Sequence, residues 1–529
     1  HSPESPPLST LSPTAGARPA AVAPRDTILG QPNALFVLFF TEMWERFSYY
    51  GMRALLVLFL VSEVGKGGWG WTRADATSLY GWYTGLVYLT PILGGYLADR
   101  VLGTRRSVLW GGFVIAAGHA ALFMETVPTF YLGLALIILG TGLFKPNISA
   151  IVGQLYGKDN EGQRDGGYTL FYMGVNAGAF FGISLCGYIG EKVSWNLGFG
   201  LAGAFMVLGA LQFWFSRALF GAIGEKLDAD KAAALAKAEA TDDTPEHVVG
   251  DRLKAIVVFS FFTIFFWFAF EQAGGSMTIF AADYTDRQLA GTSGLVFKLI
   301  NTAMTVVPLA ILSWLLLRLY RNTGGKVWLA NLSLAVAFAG LWGLCFWMLG
   351  REFMMEQSEV PATWFGVLNS FFIVVLAPAF SKMWEDKWNP SGPVKFGVGL
   401  ILLGLGFAAL AYGASGIAPG AKTAQVSMMW LTLAYLLHTM GELCVSPVGL
   451  SYISKLAPAR LLGLMFGVWF LNSAIANWVA GKTGSYIDHI SSTYSMSTFF
   501  MIFFVVPCAA GLVLIGLRPL MKKWMHGVH

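Results

Sequence analysis

A stretch near the start of the chain, TEMWERFSYYGMRALLVLFL (41–60), carries four charged side chains and two tyrosines that could bind ions or exchange protons. At about 100° per residue, a helix places all six on one face about 16 Å long. They are Glu42, Glu45, Arg46, Tyr49, Tyr50 and Arg53. A charge at bilayer depth costs at least about 2.5 kcal/mol, so we expect this face to line a polar cavity, with Glu42 and Arg46 paired at i, i+4. Alternatively, residues 42–46 lie at the membrane surface and reach water, although Arg53 lies two turns further along.

Three further charges stand in stretches too apolar to hold them without a partner: Lys145 in TGLFKPNIS, Glu271 in FFWFAFEQAGGS and Glu442 in HTMGELCVSPVGLS. With the first stretch, they give three cations against four acids. One carboxylate is left over as a candidate proton carrier, and the count does not identify which one. Two tryptophans and a serine near these acids could line a binding cavity or simply pack: Trp267, Trp469 and Ser473.

The composition of the 529-residue chain is that of a protein that crosses a membrane many times. Of its residues, 55% are hydrophobic and 12% are charged, against roughly 25% charged in soluble domains. The net charge of +5 is spread over short loops, so we expect no nucleic-acid partner. The four cysteines lie in apolar segments without metal-ligand spacing, and we expect no metal and no cofactor.

Fourteen stretches are long and apolar enough to span about 30 Å of hydrocarbon. They are 34–62, 74–98, 106–126, 128–156, 165–191, 195–220, 252–283, 294–320, 326–350, 362–386, 393–416, 425–455, 459–485 and 496–522. Lys and Arg concentrate in alternate loops, which predicts that both termini are cytoplasmic. The predicted organisation is a disordered tail (1–30), a six-helix bundle (31–223), a polar cytoplasmic linker with a short surface helix (224–252) and a second bundle (253–523).

A charged loop between the second and third spans, GGYLADRVLGTRR (94–106), resembles the loop signature of the major facilitator superfamily. An aspartate that caps one helix against arginines near the next can form a charge latch, which favours one of two rocking states. The latch residues would be Asp99, Arg100, Arg105 and Arg106. Anchoring by the positive-inside rule alone would also explain the arginines. The predicted fold is therefore an all-α membrane protein of the major facilitator type, with two six-helix bundles and two extra transmembrane helices.

Four motifs in order along the chain resemble those of the proton-dependent oligopeptide transporter (POT) family, bacterial type. EMWERFSYYG (42–51) matches the signature ExxERFxYYG, and FYMGVNAGA (171–179) is similar to FYxxINxG with Val175 in place of Ile. FWFAFEQ (266–272) and GELCVSPVGLS (441–451) resemble the family motifs of the seventh and tenth helices. The resemblance spans roughly residues 34–520 and implies coupled movement of peptides and protons.

The resemblance also implies roles for individual residues. Proton coupling would involve Glu42, Glu45, Arg46 and Glu271, with Glu271 able to pair with Arg53. Peptide binding would involve Tyr49, Tyr50, Arg53, Tyr88, Lys145, Asn176, Trp267, Asn369, Glu442, Trp469 and Ser473. In this arrangement, Arg53 and Lys145 hold the peptide carboxylate and Glu442 faces the amino group, which suits a zwitterion.

The chain departs from the family pattern at two places. Many bacterial relatives have two extra helices in the linker between the halves, whereas here the extra pair is predicted at about 294–350, after the Glu271 helix. We therefore align Asn369, rather than Asn301, with the asparagine of the family's eighth helix. Animal relatives use a second-helix histidine that residues 74–98 lack. His438 lies one turn before Glu442 and could tune it, but a neutral packed histidine is the simpler interpretation.

These observations predict proton-coupled symport of di- and tripeptides by alternating access, in a multi-pass protein of the inner (plasma) membrane. Its partners would be di- and tripeptides, protons and membrane lipid. One alternative is the same fold carrying another small anionic or zwitterionic solute such as nitrate, and another is a peptide sensor that transports nothing. An enzyme is disfavoured, because neither GxSxG nor HExxH occurs in the chain.

Overall fold

The computed structural model describes residues 27–156, 161–225, 245–386, 388–458 and 461–528, most of them helical. The long helices are α1 (Asn33–Val61), α2 (Arg73–Leu97), α3 (Thr104–Phe123), α4 (Val127–Gln154), α5 (Glu161–Lys192), α6 (Trp195–Phe215), α7 (Glu246–Phe270), α9 (Gly291–Thr323), α10 (Trp328–Met354), α11 (Val367–Asp386), α12 (Gly392–Gly413), α13 (Met429–Leu456), α14 (Leu462–Gly484) and α16 (Met496–Gly516). The short helices are α8 (Ser276–Asp283), α15 (Ile487–Thr493) and α17 (Arg518–Trp524). Thirteen of the fourteen predicted spans each correspond to one long helix, whereas the seventh (252–283) covers α7 and α8 together.

Three small pairs of strands join segments outside the helices. β1 (Thr27–Ile28) pairs antiparallel with β2 (Gln31–Pro32), and β3 (Thr285–Asp286) pairs parallel with β6 (Val426–Ser427). β4 (Gln288–Ala290) pairs antiparallel with β5 (Gln357–Glu359), which ties together the two connections of α9 and α10. Residues 1–26 of the predicted tail, and residues 226–244 of the predicted linker with its surface helix, lie outside the described residues.

Helix α1 lies at the centre of the first six helices, packed against α5 and α6. Twenty-six of its 29 residues are buried, including all four charged ones. Its charges are therefore enclosed by protein rather than exposed at a membrane surface.

Eleven helical segments of the described chain are long and apolar enough to cross a membrane, and α1 is not among them. Every 18-residue window of α1 contains at least three charged residues.

We call α1–α6 the N-terminal half, and α7, α8, α11–α14 and α16 the C-terminal half. The halves meet closely where α2 packs on α14. A Cβ atom on Gly81 would lie 2.6 Å from the Cα of Gly481, so glycine allows the two backbones to touch. Helix α7 ends at Phe270, and the chain then makes a short 3₁₀ turn (Glu271–Gly274) before α8. This break places the Glu271 carboxylate at the interface between the halves.

The helix pair α9–α10 is joined in sequence to the C-terminal half but packs on the N-terminal half, mainly through α10 on α6. Phe338 of α10 is buried between Phe40 and Trp44, with ring centroids 5.5 and 5.8 Å away. Asn322 at the far end of α9 donates to Asn33 at 3.1 Å. The pair therefore adds a further wall to the first six helices.

Candidate functional site

The first charged cluster on α1 is formed by Glu42, Glu45 and Arg46. The Arg46 Nε atom lies 2.9 Å from Glu42 Oε1 and 2.5 Å from Glu45 Oε2. These are ion-pair distances, but the Nε–H bond points at neither oxygen, so charge attraction rather than an aligned hydrogen bond links the groups. The Arg46 guanidinium also lies 5.4 Å from the centre of the Tyr49 ring. One buried cation thus pairs with two buried acids, and all three residues lie on the same helix.

The second cluster joins the two halves through Arg53. Its Nη2 atom forms an ion pair with Glu271 Oε2, at the break between α7 and α8. Its Nε atom donates to the hydroxyl of Tyr80 at 2.5 Å, and that hydroxyl lies 3.4 Å from the same Glu271 oxygen. Tyr49 and Tyr50 flank the guanidinium, with ring centres 6.0 and 5.9 Å from Arg53 Cζ. All three polar members of the cluster are at least nine-tenths buried.

Tyr80 of α2 is a residue that the sequence prediction missed. Its ring centre lies 5.4 Å from Arg53 Cζ, and its hydroxyl touches both members of the inter-half ion pair. A helical wheel of α2 drawn from Tyr88 would have shown Tyr80 about 80° away, on the same broad face. The prediction instead followed charges and motifs, and Tyr80 belongs to neither.

Lys145 is the third cation of the predicted site. Its Nζ atom lies 4.2 Å from the centre of the Tyr88 ring, which lies on α2. Within the described residues, no carboxylate oxygen lies within 4.0 Å of Lys145, whereas Arg46 and Arg53 both have acids within that distance. A cation held over an aromatic face without a close anion can accept one from a ligand.

The fourth acid, Glu442 of α13, lies in the C-terminal half. Asn369 of α11 donates from Nδ2 to Glu442 Oε2 at 2.8 Å and approaches the Thr439 hydroxyl at 3.1 Å. Asn301 lies elsewhere, on α9, where Thr305 approaches its side-chain oxygen at 3.4 Å. His438 packs on Phe407, with ring centroids 4.5 Å apart. The side chain hydrogen-bonded to Glu442 is therefore Asn369, and His438 packs in the core.

The remaining predicted peptide-binding residues lie on α5, α7 and α14. Asn176 of α5 donates to the carbonyl of Tyr172 at 3.0 Å, and Ser473 of α14 donates to the carbonyl of Trp469 at 3.0 Å. Trp267 of α7 is half-buried among phenylalanines, and Trp469 packs on Gly449 of α13. These are contacts within one helix or between neighbouring helices, and the peptide-binding role of the four residues remains a prediction.

The predicted latch loop has different contacts from those expected. Arg105 pairs with Glu225 at 2.6 Å and donates to the Gly221 carbonyl at 2.8 Å. The Arg100 guanidinium lies 4.8 Å from the ring centre of Tyr96, and Arg106 is exposed. Asp99 is exposed in a π-helical turn (Ala98–Leu102), with no basic group within 4.0 Å among the described residues. In this conformation, Arg105 ties the loop to the end of the N-terminal half rather than to Asp99.

Ion pairs also join the two halves near the start of α2 and the end of α5, which we call the ion-paired end. Arg73 pairs with Asp283 at 2.6 Å and with Asp488 at 2.9 Å. Glu359 pairs with Lys192 and, at 2.9 Å, with Arg287. The residues of these ion pairs line a cavity of about 1,000 Å³ at this end of the interface. The sequence prediction missed them, because it considered only charges inside apolar stretches.

A second carboxylate fastens the ion-paired end through backbone groups. Glu191, near the end of α5, accepts hydrogen bonds from the backbone N–H groups of Ala362 and Thr363, both at 2.9 Å. Burial alone would raise the pKa of Glu359, but the hydrogen bond from Lys192 and the charge of Arg287 outweigh it and lower the pKa. Glu359 is therefore ionised at neutral pH.

Comparison with known proteins decides the family. The family model described as the POT family matches residues 105–236 and 345–502. The chain belongs to the POT family. A peptide transporter of Yersinia enterocolitica is 32% identical over 517 residues, covering 94% of this chain and 96% of that protein. A di-/tripeptide transporter of Lactococcus lactis is 31% identical over 528 residues, covering 95% and 98%.

Solved structures of POT transporters have the same fold. A variant of a POT peptide transporter in complex with alafosfalin matches with a TM-score of 0.73 and 31% identity, covering 95% of this chain and 98% of that one. A POT family transporter in complex with 5-aminolevulinic acid matches with a TM-score of 0.74 and 26% identity, covering 94% and 99%. The predicted all-α fold of the major facilitator type is confirmed, and the POT chain is a multi-pass membrane transporter rather than an enzyme.

Proposed function

We propose that this POT transporter carries di- and tripeptides together with protons into the cytoplasm by alternating access. The observation that carries the proposal is the ion pair between Arg53 and Glu271, which joins the two halves inside the site. A peptide zwitterion supplies one negative and one positive group. Arg53 and Lys145 in the N-terminal half match the carboxylate, and Glu442 in the C-terminal half matches the ammonium group. The names of the similar transporters from Yersinia and Lactococcus support the same cargo.

Protonation of Glu271 is the proposed coupling step. A neutral Glu271 no longer attracts Arg53, so the guanidinium becomes available to the peptide carboxylate. The Tyr80 hydroxyl, which touches both groups, can follow Arg53 and keep one hydrogen bond in either state. Each state then replaces one buried pairing with another, and neither leaves a buried charge uncompensated.

The cluster on α1 is the proposed second proton site. One cation, Arg46, faces two acids, Glu42 and Glu45, so the three groups carry an excess negative charge when both acids are ionised. Two carboxylates that share one cation in a buried site cannot both ionise easily. A proton shared between Glu42 and Glu45 would neutralise the cluster.

The remaining assignments concern topology and large-scale motion. We place the protein in the inner (plasma) membrane with both termini cytoplasmic, on the strength of the Lys and Arg distribution. Residues 31–223 and 253–523 would move as two units around the site, joined by the linker 224–252. The helix pair near 294–350 would be an insertion in the sequence of the second unit, and its packing on α6 would make it move with the first unit. Asp99, Arg100, Arg105 and Arg106 would form contacts that differ between the two conformations.

Uptake into liposomes tests the proposal. Purified protein is reconstituted in liposomes with an inward proton gradient and a membrane potential, and accumulation of labelled dialanine is measured. We expect Glu271→Gln to abolish proton-driven accumulation, because glutamine cannot exchange the proton that controls Arg53. The matched control is Glu352→Gln, since Glu352 is another buried acid bonded to a tyrosine, Tyr188, at 2.8 Å but outside the site.

Three outcomes would contradict the proposal. Full proton-driven uptake by Glu271→Gln would show that another group carries the proton. Proton-driven accumulation of labelled nitrate without accumulation of labelled dialanine would identify an inorganic anion as the cargo. Peptide binding without flux in the wild-type protein would identify a sensor.

A further inference from the structure

An apolar groove on the outside of the N-terminal half is separate from the transport site. It has a volume of about 870 Å³ and is lined by α3, the end of α5, the first part of α6 and α10. Its walls include Ala120 of α3, Ala204 of α6, and Leu344 and Trp347 of α10. The groove exists because the helix pair α9–α10 packs beside α6 and forms one wall.

The size and depth of the groove match one acyl chain. Its lining along α6 runs from Leu197 to Val207, which are eleven residues spanning about 15 Å of helix. That distance is about half of the roughly 30 Å of hydrocarbon in a bilayer, so the groove extends over one leaflet. Five of its large lining residues are at least two-fifths exposed, so the groove opens outward from the helices; they are Phe123, Met124, Val193, Leu197 and Trp347. Because these helices cross the membrane, hydrocarbon rather than water must fill the groove.

A cation stands at the mouth of the groove. Arg351 lies one turn beyond Trp347 on α10, with its Cζ atom 5.7 Å from that ring's centre. Its Nη2 atom donates to the carbonyl of Lys192 at 3.3 Å. Among the described residues, no carboxylate oxygen lies within 4.0 Å of its guanidinium, because the acids nearby have other partners. Glu352 accepts from Tyr188, and Glu359 pairs with Lys192 and Arg287.

We infer that this groove binds one membrane phospholipid, with an acyl chain along α6 and its phosphate at Arg351. The apolar lining would bind the acyl chain. The Arg351 guanidinium, whose other donors have no hydrogen-bond partner among the described residues, can bind the phosphate with two hydrogen bonds. Trp347 lies between the two parts, at the depth where aromatic rings favour the interface. The lipid would fill the space between α3, α6 and α10 and hold the helix pair against the N-terminal half.

Photolabelling tests the acyl-chain part. The purified full-length protein is mixed with phosphatidylglycerol that carries a photoreactive diazirine in one acyl chain, irradiated, and mapped by mass spectrometry of its peptides. We expect labels on α3, α6 and α10 at the lining residues. Ala204→Phe, which fills the groove from an exposed position, should reduce this labelling about tenfold or more. Ala117→Phe is the matched control, because Ala117 is exposed on α3 outside the lining.

A second comparison tests the phosphate. Arg351→Gln should reduce labelling by phosphatidylglycerol about tenfold, the change expected from losing a charge-assisted hydrogen bond. Arg318→Gln should have no effect, although Arg318 also stacks on a tryptophan of the helix pair, with Cζ 5.4 Å from the Trp314 ring. Photoreactive diacylglycerol, which lacks the phosphate, should label weakly and equally in both variants.

Several results would overturn the inference. Labels spread evenly over all lipid-facing helices would show that the groove has no preference for lipid. Equal labelling by diacylglycerol and phosphatidylglycerol, or an unchanged Arg351→Gln protein, would remove Arg351 as the phosphate site. A purified dimer with crosslinks from Trp347 of one copy to the other would show that a second copy covers the groove.

Discussion

Helix α1 carries two buried ion-pair clusters that differ in what they connect. In the first, Arg46 faces Glu42 and Glu45, and all three groups belong to one helix. In the second, Arg53 faces Glu271, which is 218 residues away in the other half of the molecule. A movement of the halves relative to each other leaves the first cluster intact and separates the members of the second.

This difference assigns the two clusters different physical roles. An ion pair within one helix keeps its charges compensated in every conformation of the halves. Its net charge can change only when one of its acids gains or loses a proton. Pairing across the interface depends on conformation, so it can couple a proton or a ligand to the movement of the halves. We therefore expect substitutions in the first cluster to act mainly on stability and protonation, and substitutions in the second to act mainly on ligand binding and coupling.

The largest effect is expected from removal of the cation in the first cluster. Arg46→Gln leaves Glu42 and Glu45 buried side by side, and breaking a buried ion pair typically costs about 3–5 kcal/mol. The measurement is thermal unfolding of the purified protein in detergent. Arg46→Lys, which keeps the charge, should lose much less. An Arg46→Gln protein as stable as the wild type would show that charge does not hold this cluster together.

The second cluster should respond differently. Arg53→Gln removes the proposed partner of the peptide carboxylate, and losing a hydrogen bond to a charged group costs about 1.5–3 kcal/mol. We therefore expect the Kd of dialanine, measured by competition, to rise about 10- to 100-fold. The loss of stability should be smaller than for Arg46→Gln, because Glu271 can be protonated and keeps Tyr80 nearby. Unchanged affinity would remove Arg53 from the peptide site.

Tyr80 offers a finer test of the cluster between the halves. Tyr80→Phe keeps the ring near Arg53 and removes only the hydroxyl, which contributes about 1 kcal/mol per hydrogen bond. Uptake at saturating proton gradient should fall about fivefold or less. The pH dependence of uptake should also change, because the hydroxyl touches the Glu271 carboxylate, the proposed proton carrier. Tyr83→Phe, a buried tyrosine of the same helix, is the matched control. If uptake by Tyr80→Phe and by the wild type had the same pH profile, the Tyr80 hydroxyl would have no role in proton coupling and the side chain would contribute packing only.

The fold and much of the candidate site could be predicted from the sequence for a physical reason. Charges are so costly in hydrocarbon that each one inside an apolar stretch indicates a cavity or a partner. This argument singled out Glu271 and Glu442, each from the apolar stretch around it. The motifs that resemble those of the POT family then assigned the two acids to the seventh and tenth helices. The fourteen predicted spans rested on length and hydropathy, and eleven helical segments of the described chain meet both criteria.

The contacts that the prediction missed depend on distances that the sequence does not contain. Tyr80 touches Arg53 only because α2 and α1 meet at that depth, and a tyrosine in a membrane helix carries no charge signal. The pairs of Arg73 and Glu359 form between the ends of helices and strands that are far apart in sequence. The count of three cations and four acids also treated every cation alike, whereas the structure shows that Arg46 serves two acids and Lys145 stacks on Tyr88. The roles assigned to these residues remain predictions.

The smallest expected effect concerns Glu359 at the ion-paired end, a contact between the halves that is partly open to water. Its folded-state pKa is lowered by Lys192 and Arg287, so its contribution to stability is fully present above the unfolded pKa of about 4.3 and is lost as the pH falls through the lower folded value. The side chain is 35% exposed, so we expect at most about 1 kcal/mol.

Unfolding of Glu359→Gln and the wild type is compared between about pH 3 and pH 7. The two proteins should differ most near neutral pH and converge as the pH falls below the lowered folded pKa of Glu359, where both side chains are neutral. Glu356→Gln, an exposed acid three residues away, should match the wild type throughout. A difference that grew as the pH fell would show that Glu359 is not stabilised as an anion, and the ion-paired end would then be held by Arg73 and Glu191 alone.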